Sequence, residues 1–241
     1  MKLHRFIGDY NLSKKEVKIT NLENIKQIKN VLRLKKGEKI ILSDGKGQEA
    51  EVSLDLISTN KITGVINNIP ARTTLAGIRR VNLYLAILKK ENFELAVQKT
   101  VEVGVYRIIP IITERTIKTG LNFPRLEKII IEASEQSGRS VVSILSPILN
   151  FKEALIDGAN SEEKVIFHPT GIIYTPSTSS GPSANKNAEN ISIFIGPEGG
   201  FTEKEIEEAK KAGYTVASLG SLVLRGETAA IIATYRTVKG I

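Results

Sequence analysis

The sequence predicts an α/β protein in two parts: a small β-barrel over residues 1–71, then a mostly parallel sheet covered by helices over residues 72–241. Three observations carry that prediction. The first third shows short period-2 runs separated by glycine turns, the remainder alternates strand-like and helix-like patterns, and two strand-to-helix turns stand close together near the C-terminus. With 241 residues, 41% of them apolar, the chain is long enough to bury a core in each part.

In the first third, Val31-Leu32-Arg33-Leu34 and residues 39–42 read as strands flanking a basic turn at Lys35-Lys36-Gly37. Ser43-Asp44-Gly45-Lys46-Gly47 is a hairpin signal. Beyond it Ala50, Val52, Leu54 and Leu56 alternate with Glu49, Glu51, Ser53 and Asp55, which predicts one core face and one wet face. Gly45-x-Gly47-x-x-Ala50 matches a dinucleotide-binding pattern, but that pattern must open a helix, and here period 2 continues. It is a turn between strands. Asn67-Asn68-Ile69-Pro70 ends the last strand, and residues 71–80 read as a linker.

Residues 81–88 predict a buried strand, 91–102 a helix ending near Gly104, and 105–112 the next strand. Residues 124–136 give the clearest helix, with Leu126, Ile129, Ile130 and Ala133 on one face and Pro124 in the opening turn. Strands at 141–145 and 164–167 and a short helix near 152–156 extend the alternation, which calls for a parallel sheet with helices on both faces. Residues 175–190 interrupt it: twelve of these sixteen are Ser, Thr, Pro, Gly or Asn, a composition that cannot bury a core and predicts a mobile insertion, either a passive surface loop or a lid over a ligand.

The last fifty residues organise the rest. Residues 191–201 (ISIFIGPEGGF) run from an apolar strand into a glycine turn, and Thr202 with Glu205 forms a capping box that starts a helix. Residues 215–219 predict another strand, and Leu224-Arg225-Gly226-Glu227-Thr228 leads into the helix-period run Ala229, Ala230, Ile232, Ala233. Paired strand-to-helix turns of this kind are where open α/β sheets bind small ligands.

Composition narrows the chemistry. The absence of Cys excludes disulfides, thiolate-held zinc and a thiol nucleophile, and it permits a reducing, cytoplasmic location. His4 and His168 have no ligand spacing around them, so no metal is expected. No stretch approaches the ~20 apolar residues of a membrane span, and no signal-peptide pattern opens the chain. The net charge of +8 is uneven: residues 1–75 hold fourteen Lys+Arg against eight Asp+Glu, whereas the rest is close to balanced. A basic first third fits either a polyanion-facing module or ordinary lysine-rich surface.

The two C-terminal segments, GPEGGFT-x-x-E and LG-x-x-VLR-x-ETA, resemble the signature of the RsmE-type ribosomal RNA uridine-N3 methyltransferases of the SPOUT class. The resemblance extends through VLRLKKGEKIILSDGKG (31–47), QKTVEVGVYRIIPIITERT (98–116) and IEASEQSGR (131–139), and so covers most of the chain. Gln27 departs from the family, which often has His there, and Val97-Gln98 stand where the family has acidic or polar residues.

The resemblance implies an N-terminal PUA-like β-barrel that holds RNA and a C-terminal SPOUT domain whose residues 164–241 form a deep trefoil knot. It implies S-adenosyl-L-methionine as cofactor, clasped by three loops: Phe167 and His168; Ile195, Gly196, Pro197, Gly199 and Gly200; and Ser218, Leu219, Gly220 and Leu224, with Thr228 and Ala229 just beyond. It implies methyl transfer to N3 of a uridine in 16S rRNA, within the small ribosomal subunit, by a homodimer.

Chemistry then assigns roles. N3 carries a proton at neutral pH, so Arg225 is expected to stabilise the uracil anion, and Glu227 or Glu198 to take the proton. The competing structural reading is an ion pair between Arg225 and a glutamate, with Thr228 capping the last helix. Arg5, Arg33, Lys35, Lys36, Arg115 and Arg139 are the expected phosphate contacts. A SPOUT enzyme for another nucleotide or for transfer RNA, and a non-catalytic ribosome-assembly factor, remain open alternatives. A phosphate-binding enzyme has no P-loop pattern to support it.

Overall fold

The computed structural model describes residues 3–70, 73, 79–117, 119–175 and 188–241. Most of the predicted linker and insertion therefore lies outside the described residues. The chain forms two compact units, one of residues 1–74 with 134–142, the other of residues 75–133 with 143–241.

The first unit holds a five-stranded sheet in the order β1-β3-β4-β5-β2, made of β1 (His4–Ile7), β2 (Glu16–Ile19), β3 (Lys39–Ser43), β4 (Glu49–Ile57) and β5 (Ile62–Asn68). Strands β3 and β4 form the antiparallel hairpin predicted from residues 43–47. Ile40, Leu42, Ala50, Val52 and Leu54 line its core face. The alternation fails at Leu56, which is 52% exposed, because the pairing of β4 with β5 shifts register between Leu54 and Leu56 and turns the next residue outward.

A second correction concerns residues 31–34, which are not a strand. Helix α1 (Leu22–Lys26), capped by Asn21, runs directly into a π-helical turn over Gln27–Val31, and Ile25 and Ile28 bury their side chains from it. The apolar pair Leu32 and Leu34 packs against the same core from the irregular segment that follows. A run of two apolar residues separated by one polar residue satisfies either geometry. Residues 134–142 belong to this unit through hydrogen bonds from the Ile7 N–H to Glu135 Oε1 (2.7 Å) and from the Gly47 N–H to the Ser140 carbonyl (3.0 Å).

The second unit is built on a sheet in the order β12-β10-β11-β6-β7-β8. Its main strands are β6 (Arg80–Ala86), β7 (Arg107–Ile112), β10 (Glu163–Ile173), β11 (Asn190–Ile195) and β12 (Thr215–Ser218), all paired in parallel, with short β8 (Ile144–Leu145) and β9 (Leu149–Asn150) beside β7. Between them run α2 (Lys90–Val103), α3 (Phe123–Ser137), α4 (Phe151–Asp157), α5 (Glu203–Lys211) and α6 (Gly226–Lys239).

Strand period decides which helix meets which face. Tyr84, Ala86 and Phe194 pack with Phe151, Ala154 and Leu155 of α4 and Ile206 and Ala209 of α5. The alternate residues Leu83, Leu85, Ile193 and Ile195 are equally buried and turn to the opposite face, where α6 packs on β6 and β11 and against α2. Phe194 stacks on Tyr84 with ring centroids 4.3 Å apart, a central contact of the α4–α5 side. Helix α2 buries Phe93, Ala96, Val97, Thr100 and Val101 along one stripe and stops at Gly104, whose φ of 110° suits only glycine. Val97 faces the core.

Candidate functional site

The C-terminal ends of β6, β10, β11 and β12 surround a cavity of about 660 Å³, within the ~300–1,000 Å³ range of small-molecule sites. The lining comes from the segments after β6, β11 and β12 and from a bulge within β10.

After β11, the chain turns through Gly196-Pro197-Glu198-Gly199-Gly200 and is fixed by what lies next to it. Phe201 folds back over the turn and packs on Phe151 at 5.6 Å between centroids. A Cβ on Gly196 would stand 3.2 Å from the Phe201 ring and main-chain nitrogen, so glycine is what lets the aromatic close on the turn. Gly200 has φ 68°. The predicted capping box is present, with Thr202 Oγ1 accepting the Glu205 N–H and Glu205 Oε2 accepting the Thr202 N–H. Glu205 Oε1 also accepts the Glu114 N–H, and Arg115 Nη1 donates to the Gly199 carbonyl at 2.7 Å. The segment after β7 thus braces the glycine turn. Arg115, expected on phosphate, is engaged there.

Strand β10 supplies the second loop by leaving its partner and rejoining it: Phe167 and Ile172 both pair with Ala217 of β12, and residues 168–171 bulge out between them. His168 and Pro169 line the cavity from this bulge. His168 Nδ1 accepts the Thr170 N–H and lies 2.8 Å from Thr170 Oγ1, so the proton of the neutral ring sits on Nε2. Desolvation, with Arg115 as a second cause, holds its pKa below the ordinary 6.5.

The third loop begins where Ser218 Oγ donates to the Gly220 carbonyl and accepts the Gly220 N–H. Ser218, Leu219, Leu224, Arg225, Glu227 and Ala229 all line the cavity. Gly220 and Thr228 do not. The N-cap of α6 is Arg225, with no side-chain bond, so Thr228 does not cap the helix as the structural reading expected. Arg225 is exposed and makes no ion pair with a glutamate among the described residues.

The two candidate proton acceptors differ. Glu198 is exposed and its Oε1 accepts the Lys89 N–H at 3.1 Å. Glu227 is 7% exposed and its Oε2 has no hydrogen-bond partner. A buried polar atom of this kind takes a partner from water, an ion or a ligand.

The sequence reading missed Lys89, Asn92, Phe201 and Gly226 in the cavity wall, whereas Pro169, Leu222 and Val223 fall in the loops it expected. The signal for the first two was present, since the strand at 81–88 also runs into a helix and so forms another turn of the same type at the same sheet edge. Of the expected phosphate contacts, Arg5 pairs with Glu49 at 2.6 Å and Lys36 with Asp55 at 2.8 Å. Burial outweighs that attraction at Glu49, whose pKa is raised. Arg139 is half-buried, donates to the Val141 carbonyl, and has its pKa lowered to about 10 by desolvation. Arg33 and Lys35 are exposed, and Arg33 has φ 54°, a left-handed conformation rare outside glycine.

Among the described residues no cluster of His, Asp and Glu could hold a metal ion, and no helix is long and apolar enough to cross a membrane.

Residues 77–237 match the RNA methyltransferase domain family and residues 19–67 the RNA methyltransferase PUA domain. Ribosomal RNA small subunit methyltransferase E of Rickettsia conorii is 30% identical over 97% of this chain and 94% of its own. The Bacillus subtilis protein of the same name is 27% identical over 88% and 85%. Among solved structures, ribosomal RNA small subunit methyltransferase E from Neisseria gonorrhoeae bound to S-adenosyl methionine superposes with a TM-score of 0.84, at 31% identity and 98% coverage of both chains. A Legionella pneumophila putative methyltransferase in complex with the same cofactor gives 0.83 at 28% identity, covering 98% of this chain and 97% of that one. With a PUA-like sheet in its first unit, a parallel sheet in its second and matches that span nearly its whole length, this chain belongs to the RNA methyltransferase family of ribosomal RNA small subunit methyltransferase E.

Proposed function

We propose that this chain is an S-adenosyl-L-methionine-dependent methyltransferase acting on N3 of a uridine in 16S rRNA, in the context of the small ribosomal subunit. The observation that carries this reading is the cavity itself, in which three loops at one sheet edge present main chain and apolar surface around a buried, unpartnered carboxylate oxygen. Those residues fit a cofactor that is part adenine and part cation. Main-chain N–H and C=O groups of residues 195–200 and 218–224 match adenine edges, Phe167, Ile195, Leu219, Leu224 and Ala229 offer apolar surface, and Glu227 offers negative charge to a cation. The relatives crystallised with S-adenosyl methionine support the same assignment.

When bound, the cofactor supplies a methyl group already activated on a sulfonium sulfur. The protein's part is alignment, proton removal and charge stabilisation. Loss of the N3 proton to a carboxylate and attack of N3 on the methyl carbon break the C–S bond, whose electron pair stays on sulfur. Glu227 is the better acceptor, because Glu198 Oε1 is occupied by the Lys89 N–H. Arg225, exposed and free of an ion pair among the described residues, stabilises the negative charge that deprotonation leaves on the uracil carbonyls.

Three further assignments accompany this one. The PUA-like unit, residues 1–71, holds RNA through exposed cations such as Arg33 and Lys35, and residues 72–241 carry the transfer chemistry. Residues 164–241 form a trefoil knot, a reading supported by α6 returning from edge strand β12 to pack on β6 and β11. The protein works as a homodimer in the cytoplasm, and the partly exposed Leu95 of α2 and Tyr235 of α6 are apolar surface that a second copy would cover.

Calorimetry with S-adenosylmethionine, followed by transfer assays on unmethylated small subunits, tests the reading. Micromolar binding and methyl transfer are expected; absence of binding refutes it. Arg225→Ala should abolish transfer while leaving cofactor affinity largely intact.

A further inference from the structure

The residues that line the cavity are of two chemical kinds, and the cofactor reading above uses only one of them. The glycine turn, the β10 bulge and the start of the third loop present main chain and apolar side chains. The remaining wall comes from the chain after β6: Lys89, the N-cap of α2, and Asn92 in its first turn.

This wall offers hydrogen-bond donors without partners. Asn92 is half-buried, yet its carboxamide makes no hydrogen bond among the described residues. The Lys89 ammonium makes no ion pair among them either. Helix α2 begins with no side-chain cap, so its first-turn N–H groups add positive potential at the same end. Glu198, the carboxylate nearest in bonding, is held by the Lys89 main-chain N–H. Arg225 and Glu227, the latter more than nine-tenths buried and with an orphan oxygen, line the same cavity.

A uracil ring presents N3–H between two carbonyl oxygens, O2 and O4. Once N3 has lost its proton, the negative charge spreads over both oxygens, and the ring edge wants donors and positive charge on each side of the reacting nitrogen. Cytosine carries an amino group in place of O4, and the Lys89 ammonium, which has donors and no acceptor, would meet it donor to donor. Sites that leave polar groups unpaired against the wrong substrate discriminate far more strongly than apolar ones.

We propose that Lys89 and Asn92 form the subsite that reads the target uracil. The Asn92 amide N–H donates to one ring carbonyl, and the Lys89 ammonium lies beside the carbonyl that gains charge, sharing with Arg225 the stabilisation of the anion. This subsite deepens the uridine-N3 reading above and rests on it.

The test compares Asn92→Ala, Asn92→Asp, Lys89→Met and Lys89→Arg with the wild type, using unmethylated small subunits and S-adenosylmethionine. The readouts are kcat, KM, the pH–rate profile and, separately from turnover, cofactor affinity by calorimetry. Asn92→Ala should lower kcat/KM at least tenfold with cofactor affinity within twofold of wild type, and Asn92→Asp, which sets an acceptor against the carbonyl, should be worse. Lys89→Met should move the acid limb of the kcat profile to higher pH, and Lys89→Arg should restore most of the shift. Subunits carrying cytidine at the target position should be refused by the wild type.

Rates within twofold of wild type for both Asn92→Ala and Lys89→Met would overturn the subsite. So would a fall in cofactor affinity that tracks the fall in rate, since the wall would then serve the cofactor. A wild type that binds S-adenosylmethionine yet transfers no methyl to uridine would overturn the function and, with it, the subsite; transfer by wild type and variants alike would overturn the subsite alone.

Discussion

Replacing Glu227 with Gln should make the ligand-free protein more stable and the enzyme worse. The side chain is 7% exposed, and Oε2 has no hydrogen-bond partner. Leaving a buried polar atom unpaired costs about 1–3 kcal/mol, more when the group is charged. A neutral carboxamide of the same shape removes the charge part of that penalty. For a chain of this size, 1 kcal/mol moves Tm by about 2–4 °C, so a rise of several degrees is expected without ligand. S-adenosylmethionine affinity and methyl transfer should both fall, because the proposed function assigns the Glu227 carboxylate to the cofactor cation and to the N3 proton. The measurements are thermal unfolding by circular dichroism, with and without cofactor, and transfer rates on the same preparations. A Tm lowered by several degrees in the ligand-free variant would refute the reasoning, since it would mean that Glu227 already has a stabilising partner.

Other perturbations separate strain, sterics and charge. Gly226→Ala puts a Cβ 2.7 Å from Leu88 Cδ2 in a buried wall of the cavity, and overpacking of that kind costs about 1–3 kcal/mol; a lower Tm and weaker cofactor binding are expected. Gly200→Ala meets nothing within 4 Å but must hold φ 68°, so a loss of about 1–2 kcal/mol, read by denaturant unfolding, would arise from backbone alone. Because the pKa of His168 is depressed in the fold, the folded state binds fewer protons there than the unfolded state. Stability should therefore decline as pH falls below about 6.5 toward the folded pKa, and His168→Asn should flatten that part of the stability–pH curve. Arg115→Ala should loosen the glycine turn by removing the bond to the Gly199 carbonyl, lowering cofactor affinity at every salt concentration, whereas loss of Lys35 should weaken RNA binding chiefly at low salt.

The parts of the molecule that were legible in the sequence are those where one local rule dominates. Thr202 and Glu205 announce a capping box wherever they stand three apart at a helix start, and Gly104 announces a helix end. The alternation of residues 81–88, 105–112 and 191–195 with helix-period runs predicted the parallel sheet. Where tertiary context decides, local rules gave the wrong answer. Leu32 and Leu34 look like a strand but are irregular backbone packed onto the core of the first unit, and Leu56 keeps the alternation in sequence while a bulge turns it outward. The expected phosphate contacts Arg5, Arg115 and Arg139 are cations whose partners, Glu49, the Gly199 carbonyl and the Val141 carbonyl, come from chain geometry that composition does not encode. The cavity wall at Lys89 and Asn92 is absent from the sequence reading because the family resemblance points to three loops farther along the chain, although β6 ends at the same edge of the sheet.

The central claim is that this cavity transfers a methyl group to N3 of uridine. The most direct measurement incubates the purified protein with small ribosomal subunits lacking the modification and with S-adenosylmethionine labelled in its methyl group, then locates the label by mass spectrometry of the digested 16S rRNA. Label at a single position, in N3-methyluridine, is the predicted result; label in another nucleoside, or in none while the cofactor remains bound, would contradict it.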